Sequence, residues 1–249
     1  MPSPVLLCRC AHAATIPADR REAVRAGLAS CGRAVAVVDD LCGLAARREP
    51  WLRDLVASAE RLTVIACHPR AVRGLLGRAG ANAVSTQIEC HDLRSNSAES
   101  IREAIRADGL SAAPATSVDV PEEPTAETPA FWRPWFPVVD EDRCVNCRQC
   151  LEFCLFGVYE ADADGRVVVA HPDHCKNNCP SCARLCPHVA IMFPKIEEES
   201  PVSGTLDDPA QAADKVRLTR EQLFKGDGSL LDKLRARQAR PRLLKDGLY

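Results

Sequence analysis

Eight cysteines between residues 144 and 186 constrain this chain more than any other feature. Cys144, Cys147 and Cys150 are each two residues apart and Cys154 follows after three more. Cys175, Cys179, Cys182 and Cys186 repeat the pattern with one extra residue in the first gap, and Pro187 follows. Three thiols at such spacing let one loop wrap three corners of an iron-sulfur cube, while a fourth, one helical turn on, points elsewhere. Thiolates are soft, charged donors that suit iron. Zinc also takes paired cysteines, but its closed tetrahedral sites normally draw on two separated pairs. The spacing thus selects iron-sulfur chemistry over zinc, and couples the folding of this segment to the metal.

Across residues 134–196 the two blocks resemble the bacterial two-cluster ferredoxins, in which each fourth cysteine serves the other block's cluster. The resemblance implies an α+β ferredoxin-like domain over 131–196 with two 4Fe-4S clusters. Cys144, Cys147, Cys150 and Cys186 would hold the first, and Cys154, Cys175, Cys179 and Cys182 the second. Two departures stand out: Leu155 follows Cys154 where proline is usual, and Lys176-Asn177-Asn178 fill a gap that is usually two residues. Val158–Glu160 and Arg166–Val169 read as strands around the turn Asp162–Gly165, and Pro137–Val139 is expected to pair with Ala190–Phe193. Val145, Phe153, Leu155, Phe156, Val158, Val189 and Ile191 are expected to exclude water from the clusters. His68, His171, His174 and His188 read as exposed or capping residues, since each block already supplies enough thiolates. Phe131, Trp132, Trp135 and Phe136 read as a hydrophobic cover.

Residues 1–110 alternate short apolar runs with amphipathic stretches: PVLLC, AVAVVDD and RLTVIAC as strands, with helices at ADRREAVRAGLAS, EPWLRDLVASAE and RAVRGLLGRAG. A strand near Ala83–Glu89 and a helix over Glu99–Ala107 complete an α/β unit, a small parallel sheet covered by helices. Cys8, Cys10, Cys42, Cys67 and Cys90 all fall at or just after strands, so their thiols are expected at one sheet edge, where ligands bind in such folds. Cys31 falls outside that set, and the bland alternative is that small apolar cysteines fill space.

Cys8-Arg9-Cys10, Leu41-Cys42 ahead of a helix, and Val64–Arg70 resemble the amino-terminal region of the heterodisulfide reductase A subunit, over residues 3–108. In that family the region carries an iron-sulfur cluster ahead of a flavin-binding domain. The resemblance implies a third 4Fe-4S cluster, assigned to Cys10, Cys42, Cys67 and Cys90 with Cys8 as the alternate ligand. No GxGxxG motif follows, so neither flavin nor NAD is expected.

Residues 111–130, rich in proline and acidic side chains, read as a flexible linker, and 197–249 as a polar to basic tail. Within that tail, Lys215–Tyr249 carries ten Lys or Arg against four Asp or Glu, with Leu230, Leu231 and Leu234 on a short helix behind Ser229. A net charge of -2 and the lack of interleaved aromatics argue against a nucleic-acid partner. No apolar run approaches membrane-spanning length, and the opening residues lack a leader pattern. Fourteen cysteines without such a leader are therefore expected as free or metal-bound thiols in a reducing cytoplasm. The expected function is electron transfer to or from a redox protein, a flavoprotein or an oxidoreductase complex, with no activity of the chain alone. The alternatives are an iron-sulfur subunit of a heterodisulfide-reductase-like complex and a metal-stabilised interaction protein.

Overall fold

The computed structural model describes residues 3–29, 31–80, 86–107, 116–120 and 133–205, with Asp214 and Glu221. Strands β1 (Val5–Cys8), β2 (Ala34–Val38), β3 (Arg61–Ala66), β4 (Gln87–Asp92) and β5 (Thr116–Val120) form one parallel sheet in the order β4-β3-β1-β2-β5. Central β1 is buried at every position and β3 at all but Arg61, the continuous apolar pattern of strands covered on both faces. Because the chain runs from β1 to β2 on one side and then crosses to β3 on the other, the topological switch point lies between β1 and β3. Crevices for ligands open there, at the carboxyl ends of the strands.

Helices α1 (Ala18–Leu28), α2 (Leu41–Arg47), α3 (Pro50–Ala57), α4 (Pro69–Arg78) and α5 (Ala98–Ala107) cover the sheet. Pro69 starts α4 with its φ already helical, and Ala71, Val72, Leu75 and Leu76 form the buried stripe. In the ferredoxin-like part, β6 (Val138–Val139) pairs antiparallel with β9 (Ile191–Met192), and β7 (Tyr159–Ala161) with β8 (Val167–Val169). Helices α6 (Gln149–Phe153) and α7 (Ser181–Leu185) have five residues each. Among the described residues no helix is long and apolar enough to cross a membrane.

Several expectations change. The fourth strand lies at Gln87–Asp92 rather than 83–89, because β4 is a sheet edge where alternating Ile88, Glu89, Cys90 and His91 suit half-burial better than a continuous apolar run. Cys42 lies within α2 rather than ahead of a helix, since Asp40 caps that helix by accepting the Cys42 N–H at 2.9 Å. Five residues of the expected linker, 116–120, pair with β2, their backbone groups satisfied by the sheet. The start of the tail is also structured: Phe193 N–H donates to Val202 O at 2.7 Å and Ser203 is fully buried. The basic helix, Phe131 and Trp132 lie outside the described residues.

The two halves pack directly. Arg70 of α4 donates from Nε to Asp140 Oδ2 at 2.6 Å and from Nη2 to the Val189 carbonyl. Val189 is a β-branched residue at φ 52°, a strained conformation that this contact helps to fix. Arg94 binds the carbonyls of Pro194, Ile196 and Glu197 at 3.3, 2.9 and 2.8 Å. Gly74 leaves room for β6, as a Cβ there would lie 2.7 Å from Val138 Cγ1 and 3.0 Å from Val139 O. Gly74→Ala raises helix propensity by about 1 kcal/mol, against an overpacking cost of about 1–3 kcal/mol. A net loss is expected, read as a lower thermal midpoint of anaerobically purified protein; an unchanged or higher midpoint would show that the halves are not tightly docked.

Candidate metal centres

The first cysteine loop owes its shape to Asn146 and Arg148, both left-handed at φ 56° and 62°, on either side of Cys147. Asn146 is tied down at both ends: its Nδ2 donates to Gly165 O at 3.0 Å and its Oδ1 accepts from Val167 N at 2.8 Å. Cys144, Cys147, Cys150 and Cys186 line one recess, together with Cys182 and His188. A second cavity of about 340 Å³ is lined by Cys154, Cys175, Cys179 and Cys182 with Phe153, Leu155, Phe156 and Tyr159. The first recess therefore takes three thiols of the first block with Cys182 and Cys186 of the second, and the second recess takes three thiols of the second block with Cys154 of the first. The extra residue of the second block is absorbed by Asn178 at φ 61°.

Burial pushes the Cys150 thiol up to about 12, and neighbouring Cys186, Cys182 and Cys147 add to the shift. Cys182 also rises to about 12 through burial, partly offset by the Tyr159 hydroxyl. Cys175 and Cys186 are raised too, burial again being the main cause. Four such thiols cannot all ionise side by side in a poor dielectric without a cation among them. The donor set fits iron-sulfur: soft sulfurs, a cavity to hold the group, and a buried Tyr159 hydroxyl at Cys182. A backbone donor, Ala190 N, also reaches Cys186 Sγ at 3.4 Å.

The water shield is smaller than expected. Val158, Val189 and Ile191 are buried, but Val145 is 61% exposed, Leu155 64% and Phe156 39%. These three sit on the cysteine loops, too short to turn every apolar side chain inward.

At the switch point of the amino-terminal sheet, Cys8 ends β1 and its Sγ lies 3.5 Å from Cys10 Sγ. Cys10 turns back through φ 49°. Cys8 Sγ accepts from Leu41 N at 3.2 Å and Cys10 N at 3.4 Å. The Cys10 thiol is held well above the ordinary range by hydrogen bonding to Cys67, then to Cys8, and by burial. Cys42 is raised by burial and by Asp40, Lys195 opposing, with Cys67 and Cys8 as further neighbours. Cys90 pairs in register with Val64, three residues before Cys67, about 10 Å along the strand, and Cys67 is among the groups that raise its thiol. Asp92 occupies the strand end instead, with its Oδ2 2.9 Å from His68 Nδ1. His68 is buried rather than exposed, and its Nε2 has no partner among the described residues. His171 and His174 stack at 4.7 Å, and Glu160 binds the first of them at the surface.

Two residues carry no sequence signal for this region. Lys195, from the ferredoxin-like half, pairs with Asp40. Trp135, stacked on Phe193 at 5.3 Å, lines a recess with Cys42 and Lys195, and its indole Nε1 is buried without a partner among the described residues.

Residues 136–208 match the family described as 4Fe-4S dicluster domain. The chain is 46% identical over 61 residues to an uncharacterized ferredoxin of Methanocaldococcus jannaschii, which covers 24% of the chain and 41% of that protein. It is 37% identical over 68 residues to the pyruvate synthase subunit PorD of the same organism, covering 27% of the chain and 74% of that protein. It is 36% identical over 76 residues to the probable anaerobic dimethyl sulfoxide reductase chain YnfG of Escherichia coli K12, covering 28% of the chain and 37% of that protein. The chain thus spans well under half the length of two of these three relatives. No solved structure gives a significant match.

Burial raises the Cys90 thiol to about 11, Arg73 opposing and Cys67 and Glu89 adding. A raised thiol stays protonated at neutral pH, and the thiolate is the nucleophile. In folded protein, alkylation of Cys90 by iodoacetamide should stay slow and accelerate only as pH approaches about 11, against about 8.5 in urea. Peptide mass spectrometry reads the difference; equal profiles would place Cys90 in solvent.

Proposed function

We propose, from the premise that the chain belongs through residues 136–208 to the 4Fe-4S dicluster ferredoxin family, that it is an electron-transfer protein or subunit serving a larger oxidoreductase. The observation that carries this reading is the crossed lining of the two recesses. Cys144, Cys147, Cys150 and Cys186 would hold one cluster, and Cys154, Cys175, Cys179 and Cys182 the other. When bound, such clusters store and release single electrons. The chain's own part is to supply the thiolates, to fix them through left-handed loop residues and N–H···S bonds, and to limit water with Val158, Tyr159 and Ile191. Val145, Leu155 and Phe156 leave an apolar rim beside the cysteine loops, suited to an electron-exchange partner that docks close.

A third cluster site is part of the reading. Its ligands are Cys8, Cys10, Cys42 and Cys67, with Cys90 replaced by Cys8 for the register reason given above. The support is Cys8 and Cys10 at 3.5 Å at the switch point, Cys67 hydrogen-bonded to Cys10, Cys42 within electrostatic reach of Cys8 and Cys67, and a buried Trp135 Nε1, unpartnered among the described residues, in the recess with Cys42. This site also favours a second reading, an iron-sulfur subunit of a heterodisulfide-reductase-like complex, in which the amino-terminal half relays electrons. The partner is taken as an oxidoreductase because relatives are named as subunits of pyruvate synthase and of a dimethyl sulfoxide reductase. We read the compartment as a reducing cytoplasm, where free and metal-bound thiols persist without disulfide formation.

Anaerobically purified protein should contain about twelve irons and as many acid-labile sulfides per chain, and reduce reversibly with dithionite. Cys42→Ala/Cys67→Ala should fall to about eight irons, as should Cys8→Ala, whereas Cys90→Ala should keep about twelve. About eight in the wild type would remove the amino-terminal site. Zinc without sulfide would replace electron transfer by a metal-stabilised interaction role.

A further inference from the structure

Lys195 belongs to the ferredoxin-like half, yet its side chain is 10% exposed and reaches across the boundary to Asp40, whose side chain is 1% exposed. A buried ion pair between halves has a plain reading as a clamp, and such pairs contribute little once desolvation is counted. The surroundings argue for more. Asp40 already accepts the Cys42 N–H as the cap of α2, so its carboxylate sits one residue from Leu41, whose N–H is donated to Cys8 Sγ. Lys195 and Cys42 line one recess, walled by Trp135, Phe136 and Phe193. One ammonium therefore pairs with a carboxylate and shares a recess with the Cys42 thiol, behind aromatic walls that limit screening by water.

We propose that Lys195 is the counter-charge of the amino-terminal four-thiol site, delivered by the other half of the molecule, and that it sets the reduction potential of that site. The inference rests on the reading of Cys8, Cys10, Cys42 and Cys67 as ligands of a third cluster. Four thiolates leave a cubane with net negative charge, and accepting one electron adds a further unit, so net charge nearby is a lever on potential. A fixed ammonium favours the reduced form. Because it comes from the ferredoxin-like half, only the docked molecule presents the site at that potential, which ties electron entry there to the intact arrangement of both halves.

The test is a potentiometric titration, with dithionite as reductant, followed by electron paramagnetic resonance on anaerobic full-length wild type, Lys195→Met and Lys195→Arg. The amino-terminal signal is identified as the one missing from Cys42→Ala/Cys67→Ala, and the ferredoxin signals serve as internal controls. In Lys195→Met the amino-terminal midpoint should fall enough to cut the reduced-to-oxidised ratio at a fixed potential at least tenfold, which is about 59 mV for one electron. Lys195→Arg should stay near wild type, and the ferredoxin midpoints should not move. An unmoved midpoint in Lys195→Met, or an equal shift in both variants, overturns the proposal. Should Lys195→Met lose the third cluster, its retention in Lys195→Arg supports a charge role, and its loss from both overturns it. A wild type with about eight irons and no third signal defeats the underlying site reading instead.

Discussion

Crowded, buried thiols are the constraint on which the rest of this molecule depends. In the ferredoxin-like half, strands of two and three residues and helices of five residues are far below the length at which either element stabilises itself. Their thiols are pushed up by burial and by one another, so the polypeptide alone favours the protonated form. A cationic group shared between the blocks resolves both problems: it cross-links segments that cannot hold together alone and gives the thiolates a charge to face. Cys182, lining both recesses, is where the two blocks depend on each other most directly.

The amino-terminal half solves a different problem with ordinary means. Its parallel sheet has a continuous apolar core from Val5 to Ala66. It brings cysteines to the strand ends on either side of β1, where the topology opens a crevice. The wall of that crevice comes from elsewhere in the chain: Trp135, Phe193 and Lys195 all follow the sheet in sequence. Arg70, Arg94 and Gly74 fix this closure by hydrogen bonding to backbone carbonyls or by yielding space to backbone, contacts that tolerate little drift.

That division explains where the sequence was legible. The cysteine blocks could be read because three thiols of each recess lie on one loop, and loop spacing is a local property. The hairpin at Asp162–Gly165 was legible for the same reason, since the turn residues lie between the strands they join. Three of the five strands and four helices followed from apolar periodicity, with β4 displaced because an edge strand carries a weaker, alternating pattern. Strand β5 was hidden by the prolines and acidic residues around it, and its place beside β2 depends on a partner some eighty residues earlier.

The sequence by itself determined the chemistry, thiolates spaced for iron and sulfide, and the division into an α/β half and a cysteine-rich half. Tertiary structure decided which thiols meet and what faces them. Register set Cys90 opposite Val64, while the turn after β1 left Cys8 beside Cys10. Docking of the two halves set Lys195 against Asp40, a pair 155 residues apart. Charge acts through space at short range, so only the fold can say which charges a buried site will feel.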